Sequence, residues 1–306
     1  MPQETTALRE PRVSELTIAV LGAGLMGHAI AAVFAAAGAP VRLYDPSPTS
    51  LEKAREVLAT KPGAGGVMFT ADLDEAITAA DLVLEVVPEV MQLKAELLRT
   101  VSRAAPAAVI ATNTSAFRIT ELAESVHDAT RFVGAHFFNP ADLIPLVEVT
   151  PGEGTDPETA RWMGEVLTAA GKRPVHLRKD IPGFIANRLQ HALWREAFAL
   201  VDAGVCEPET IDMVVLQSFG PRLGTVGPME NADYIGLDLL AGVQDYLLPH
   251  LARETSASPL LARLVAENKV GRKTGSGLMD WTPDRDHAVT SRLQSHLIAK
   301  STTTKG

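Results

Sequence analysis

A glycine hexapeptide set between an apolar run and an alanine-rich stretch constrains this chain more than any other feature. Residues 16–21 (LTIAVL) have the unbroken apolar texture of a strand buried on both faces, and Gly22-Ala23-Gly24-Leu25-Met26-Gly27 follows at once. A helical pattern then runs through Ala37, and Gly38 stops it. The pattern G-x-G-x-x-G is weak alone and acquires mechanical meaning between a strand and a helix. Gly22 permits a tight turn, Gly24 lets a pyrophosphate approach the backbone, and Gly27 lets helix and sheet pack closely. The first helical turn, at Leu25 and Met26, offers free N–H groups and a partial positive charge to phosphates.

Val41–Tyr44 (VRLY) reads as the second strand, and Asp45 ends it eighteen residues beyond Gly27. A carboxylate there accepts hydrogen bonds from a ribose 2′-hydroxyl and repels a 2′-phosphate. Pro46-Ser47-Pro48 supplies no arginine to offset that repulsion, so the expectation is NAD rather than NADP. The glycine loop by itself leaves FAD open.

The rest of the first half alternates short apolar runs with helical patterns, the βαβ texture of a parallel sheet. Further strands are expected at Leu82–Glu85, Val109–Thr112, 132–136, 146–150 and 174–177, with helices at 93–104, 119–125 and 157–170. The texture changes at Asp180-Ile181-Pro182-Gly183. Beyond it lie amphipathic helical patterns, the first over 184–203 and the next starting at Glu207-Pro208-Glu209. The expected layout is a flexible leader over 1–15, an α/β Rossmann-like parallel-sheet domain over 16–180 and an all-α domain over 181–306.

Composition narrows the class. A net charge of −9 argues against a broad nucleic-acid or acidic-membrane surface. Cys206 is the single cysteine, which excludes an intrachain disulfide and makes a cysteine zinc site implausible; its ordinary reading is a packing residue. No apolar run approaches the ~18 residues of a membrane span. The polar segment 1–15 lacks a signal-peptide core, so a cytoplasmic protein is expected. The eight histidines show no H-E-x-x-H spacing, and Gly271-Arg272-Lys273-Thr274 is not a P-loop.

Polar residues at strand ends carry the chemistry. Asn113-Thr114-Ser115 follows an apolar strand, where ligands meet a parallel sheet. His136 ends another strand in Ala135-His136-Phe137-Phe138-Asn139-Pro140. Taken alone it is more often a satisfied core histidine than a base. Glu148, inside the apolar stretch 144–149, changes that balance, because a buried carboxylate requires a partner. A neutral histidine oriented by a carboxylate suits removal of a hydroxyl proton while hydride leaves the same carbon. Asn187 lies on the first helical pattern past the boundary.

These blocks, in this order, resemble the L-3-hydroxyacyl-CoA dehydrogenase family from about Leu16 to Trp281: GAGLMG, NTSAF, HFFNP with LVEV behind it, PGFIANR, GPMENADYIGLD and LVAENKVGRKTGSG. The resemblance implies His136 as catalytic base with Glu148 as its partner. It implies Ser115 as hydrogen-bond donor to the substrate oxygen, and Asn187 as the residue that orients substrate and nicotinamide. Asn113, Glu85 and Lys94 fall near positions that meet the cofactor in relatives, and Asn139 is a substrate candidate. The family also implies a homodimer formed through the C-terminal helices, a small-molecule substrate and no metal.

Two departures bear on the substrate. Relatives acting on acyl-CoA carry a long lysine-rich helical excursion after the second strand. Here about 26 residues separate Asp45 from Asp72, and Lys61-Pro62-Gly63-Ala64-Gly65-Gly66 is too glycine-rich for a helical hairpin. Lys53, Arg55 and Lys61 are the cations available there. Asp142-Leu143-Ile144-Pro145-Leu146 has a proline where many CoA enzymes have lysine, which is more similar to relatives acting on carnitine, gulonate or pyridine carboxylates. Arg222 could bind a free carboxylate bidentately. The leading expectation is NAD-dependent oxidation of an L-3-hydroxyacyl-CoA. Beside it stand the same chemistry on a non-CoA hydroxy acid and a non-catalytic, crystallin-like protein.

Overall fold

The computed structural model describes residues 8–303, with side chains described to residue 300. Two compact units divide the chain, Met1–Asn187 with Ser295–Gly306 and Arg188–Gln294.

The first unit is built on one sheet of eight strands: β1 Ile18–Leu21, β2 Val41–Tyr44, β3 Val67–Thr70, β4 Leu82–Glu85, β5 Val109–Thr112, β6 Phe132–Phe137, β7 Leu146–Pro151 and β8 Arg173–His176. Their order is β3-β2-β1-β4-β5-β6-β7-β8. The helices are α1 Leu25–Ala36, α2 Pro48–Ala59, α3 Leu73–Ile77, α4 Met91–Ala104, α5 Ile119–Ala123 and α6 Pro157–Ala169. The period-2 alternation of strand side chains divides the core between the two faces of the sheet. Ile18 and Val20 join Ile30, Phe34, Trp162 and Met163 on one face. Ala19 and Leu21 join Leu98, Val101, Leu122 and Phe184 on the other. A strand buried on both faces needs apolar residues at every position, which is why these segments read as continuous apolar runs.

Three features differ from expectation. The sheet is not wholly parallel: β7 pairs antiparallel with β6, and β8 runs parallel to β7. The link 138–145 contains no helix to carry the chain back across the sheet, so the two strands close as a hairpin. Second, β3, α2 and α3 supply an extra edge of the sheet that the glycine-rich stretch concealed. Ser47 caps α2 by accepting from Ser50 N, Pro48 fills its first turn, and Gly63 turns the chain left-handed (φ 77°) toward β3. Third, residues 8–15 of the expected flexible leader are docked on the sheet unit. Val13 is buried, Trp162 Nε1 donates to Arg9 O at 2.6 Å, and Arg9 pairs with Asp81. Met1–Ala7 lie outside the described residues.

The second unit is helical. Its elements are α7 Ala186–Asp202, which starts in the first unit, α8 Pro208–Gln217, α9 Gly220–Leu223, α10 Pro228–Ile235, α11 Leu237–Leu247, α12 Pro259–Ala266 and the start of α13 Pro283–Thr303. Among the described side chains beyond Phe184, none is buried. No helix among the described residues is long and apolar enough to cross a membrane.

The glycine loop separates packing from ligand approach. A Cβ on Gly27 would lie 1.7 Å from Gly22 O, whereas one on Gly24 meets nothing within 4 Å. Gly27→Ala should therefore cost roughly 1–3 kcal/mol of stability through overpacking. Gly24→Ala should stay within about 0.5 kcal/mol of the parent. Thermal or urea unfolding of the two variants checks the contrast.

Candidate active site

Strand pairing makes the central pair of the site. In the β6–β7 register His136 stands opposite Glu148, and the two side chains share one face. His136 Nδ1 lies 2.8 Å from Glu148 Oε2, with the residues 3% and 2% exposed. A carboxylate accepts only, so Nδ1 carries the proton of the neutral ring and Nε2 is left as the basic atom. Phe138 and Phe184 flank the imidazole, with ring centroids 4.5 and 5.5 Å away.

The second oxygen of Glu148 is held from another direction. Oε1 accepts from Ile185 N and Ala186 N, each at 2.9 Å, at the start of α7. The Pro182-Gly183-Phe184 turn makes this possible. Gly183 and Phe184 are both left-handed (φ 73° and 51°), at a cost for phenylalanine of roughly 1–2 kcal/mol that full burial of its ring offsets. Asp180 anchors the approach to that turn by accepting from Ile119 N, Thr120 N and Thr120 Oγ1. Burial pushes the Glu148 carboxyl up. The hydrogen bonds from His136, Ala186 and Ile185 together outweigh it and hold the group below its ordinary 4.5.

Asn187, next along α7, donates Nδ2 to Ser115 O at 2.8 Å. His136, Glu148, Ser115 and Asn187 thus belong to one connected constellation at the carboxyl ends of β5 and β6. Asn113 ties it to the sheet, its Oδ1 accepting from Phe137 N at 2.8 Å. Asn139 is exposed and precedes a cis peptide to Pro140. Arg222 falls on α9 in the second unit and is exposed.

Glu85 and Lys94 are occupied with each other. Both are buried (0% and 1% exposed), and Lys94 Nζ reaches Glu85 Oε1 at 2.9 Å and Val87 O at 3.1 Å. Thr112 Oγ1 and Val87 N complete the carboxylate of Glu85. Lys94 also meets Glu89 at 3.3 Å. Glu89, which sequence reasoning missed, accepts from Thr114 Oγ1, Ser115 N and Ala116 N and so shapes the Ser115 turn. Burial raises its carboxyl, and the Thr114 hydroxyl, Lys94 and the two N–H groups bring it below the ordinary range. The one available signal was a carboxylate just past a strand's carboxyl end, within reach of the same lysine.

The cofactor side fits a dinucleotide. Asp45 Oδ2 accepts from Ala23 N and Oδ1 from Ser47 N, both at 2.9 Å, which fixes the carboxylate beside the glycine loop with lone pairs to spare. The open space at Gly24 and the exposed first turn of α1 at Leu25 leave room for a pyrophosphate, while Met26 is half-buried.

Residues 17–181 match the sequence model described as 3-hydroxyacyl-CoA dehydrogenase, NAD binding domain, and residues 183–281 match its C-terminal domain. The chain is 35% identical over 296 residues to a 5-formyl-3-hydroxy-2-methylpyridine 4-carboxylate 5-dehydrogenase of Mesorhizobium japonicum, covering 92% of this chain and 96% of that protein. It is 33% identical over 298 residues to an L-carnitine dehydrogenase of Streptomyces griseus, covering 91% and 89%. Among solved structures, a dehydrogenase of the same pyridine carboxylate, described as an NAD+-dependent dismutase, superposes with a TM-score of 0.89 at 35% identity, covering 95% and 98%. A 3-hydroxyacyl-CoA dehydrogenase of Archaeoglobus fulgidus superposes with a TM-score of 0.69 at 31% identity, covering 92% and 98%. The chain belongs to the 3-hydroxyacyl-CoA dehydrogenase family and is an NAD-dependent oxidoreductase.

Proposed function

We propose that this enzyme oxidises the hydroxyl of a small carboxylic acid that carries no CoA. The observation that carries the absence of CoA is the higher structural similarity, a TM-score of 0.89 with the pyridine-carboxylate enzyme against 0.69 with the acyl-CoA enzyme, and the hydroxyl as the group oxidised rests on the His136–Glu148 pair. The segment after β2 supports it. It holds one helix, and two of its cations are already engaged: Arg55 with Glu52 and the Phe69 ring, Lys61 with Asp142. The acyl-CoA reading keeps the same catalytic residues and rests on the family's description.

In the proposed reaction His136 Nε2 takes the hydroxyl proton, and Glu148 holds the imidazole tautomer and stabilises the imidazolium. Gly22, Gly24, Gly27, the first turn at Leu25 and Met26, and Asp45 would hold NAD, which when bound would supply the hydride acceptor. The Ser115 hydroxyl steadies the substrate oxygen, and Asn187 orients the reacting groups from the start of α7. Glu85, Lys94 and Asn113 shape the cofactor side, and Asn139 is a substrate candidate next to the strand that carries His136; Arg222 is kept as a separate candidate for a free carboxylate. Residues 16–180 form the cofactor domain in this reading and 181–306 the helical one, whose first residues, up to Asn187, and last ones, from Ser295, group with the first unit, while the helices between supply the surface of a homodimer. Exposed Met229, Tyr234, Leu239 and Tyr246 support that assembly, because a helical unit with no buried side chain cannot be held together by its own core. A cytoplasmic setting, where NAD is held, completes the proposal.

NADH formation with 3-hydroxybutyryl-CoA, free 3-hydroxybutyrate, carnitine, gulonate and hydroxymethyl or formyl pyridine carboxylates tests the substrate class. Turnover confined to free acids is expected, and turnover confined to the thioester overturns the reading. Glu148→Gln should lower kcat about a hundredfold or more. It should also change the pH dependence of stability. A carboxyl lowered by folding adds stability above its ordinary 4.5 and loses it as pH falls through the folded-state value, so the gap between parent and variant should close on acidification. Chemical denaturation at several pH values measures that gap. Asp45→Ala should raise KM for NAD and shrink the preference over NADP, read from initial rates with both cofactors.

A further inference from the structure

Lys172 is a buried charge that the reaction described above does not use. It sits just before β8, 7% exposed, and its ammonium donates to two carbonyls of the β6–β7 link, Ala141 O and, at 3.1 Å, Ile144 O. A methionine would fill similar space without the cost of desolvating a cation. What methionine cannot do is satisfy two main-chain acceptors of a helix-free link whose Ala141 is fully buried. The link needs such a restraint for a geometric reason. It joins the strand carrying His136 to the strand carrying Glu148, and a slip of one residue would turn Glu148 to the opposite face of the sheet. Arg173 N, next in sequence, adds a bond to Pro145 O at 2.8 Å at the far end of the link.

We infer that Lys172 is a positioning residue for catalysis, its ammonium holding the β6–β7 link so that Glu148 stays opposite His136. The inference rests on the base-pair reading of those two residues. Asp142, in the same link, is the charged group acting on Lys172; Lys61 pairs with Asp142, and His28 on the first turn of α1 lies within reach of both. Burial pushes the Lys172 amine down to about 8, against the pull of Asp142. An ammonium makes stronger hydrogen bonds to carbonyls than a neutral amine, so the restraint should weaken as pH rises through that value.

The test is 15N-histidine NMR of the whole protein, with the His136 Nδ1–H signal assigned by its loss in His136→Gln and its change in Glu148→Gln. Absence of any Glu148-dependent signal in the parent would overturn the base-pair reading itself. With that signal present, the inference predicts that it broadens or moves upfield as pH rises through about 8. In Lys172→Met it should be perturbed at every pH. On whichever substrate turns over, Lys172→Met should lose about tenfold or more in kcat, with KM for NAD within about twofold, as expected of a misplaced base. A folded Lys172→Met with the parent's signal and kcat overturns the inference. If that variant does not fold, Asp142→Asn decides. Removing the carboxylate lowers the lysine's pKa, so the transition of the His136 signal should move to lower pH, and an unmoved transition overturns the inference.

Discussion

Glu148 is a carboxylate placed in the middle of an apolar strand, and much of the site follows from keeping it satisfied. An ionised carboxylate at 2% exposure is tolerable only if its lone pairs are occupied. Oε2 takes the imidazole of His136, and Oε1 takes two N–H groups from the start of α7. The first contact sets the tautomer that leaves Nε2 basic. The second fixes where the chain enters α7, which brings Asn187 to Ser115. Removing one partner would leave a buried charge short of hydrogen bonds, so the sheet and the start of α7 are locked to the same geometry.

A second buried charge system supports the other side of the constellation. Thr112, Glu85, Lys94 and Glu89 form a chain of hydrogen bonds and one ion pair from the interior of β5 to the turn holding Ser115. Its innermost members are almost fully buried, and each finds a charged or hydroxyl partner. Such networks are stabilising only when complete, and a complete one has little freedom to rearrange. Ser115 is therefore fixed through its N–H by Glu89 and through its carbonyl by Asn187, while its hydroxyl is not used in either contact.

The segment after β2 is compact. One helix, a left-handed glycine turn and an edge strand occupy a stretch that could otherwise carry a longer helical excursion. Its Lys61 is engaged by Asp142 of the link that joins the two strands of the base pair. The segment after β2 and the β6–β7 link are thus joined by a contact between parts of the chain 81 residues apart.

The sequence by itself determined the features that are local. The glycine loop, its strand and helix, and Asp45 at the end of β2 could be read from spacing, because a tight turn and a close helix–sheet approach demand glycine at particular positions. The buried strands could be read because burial on both faces demands unbroken apolar runs. Resemblance of the ordered motifs indicated His136, Glu148, Ser115 and Asn187. Only the tertiary structure decided how they meet. The twelve-residue spacing of His136 and Glu148 becomes a contact only once β7 runs antiparallel to β6. Glu89 and Lys172 escaped notice because their partners lie far off in sequence, at Ser115 and at Ala141. Side-chain periodicity records which face of an element is buried. It carries no record of what will stand opposite, and that is settled only when the sheet closes.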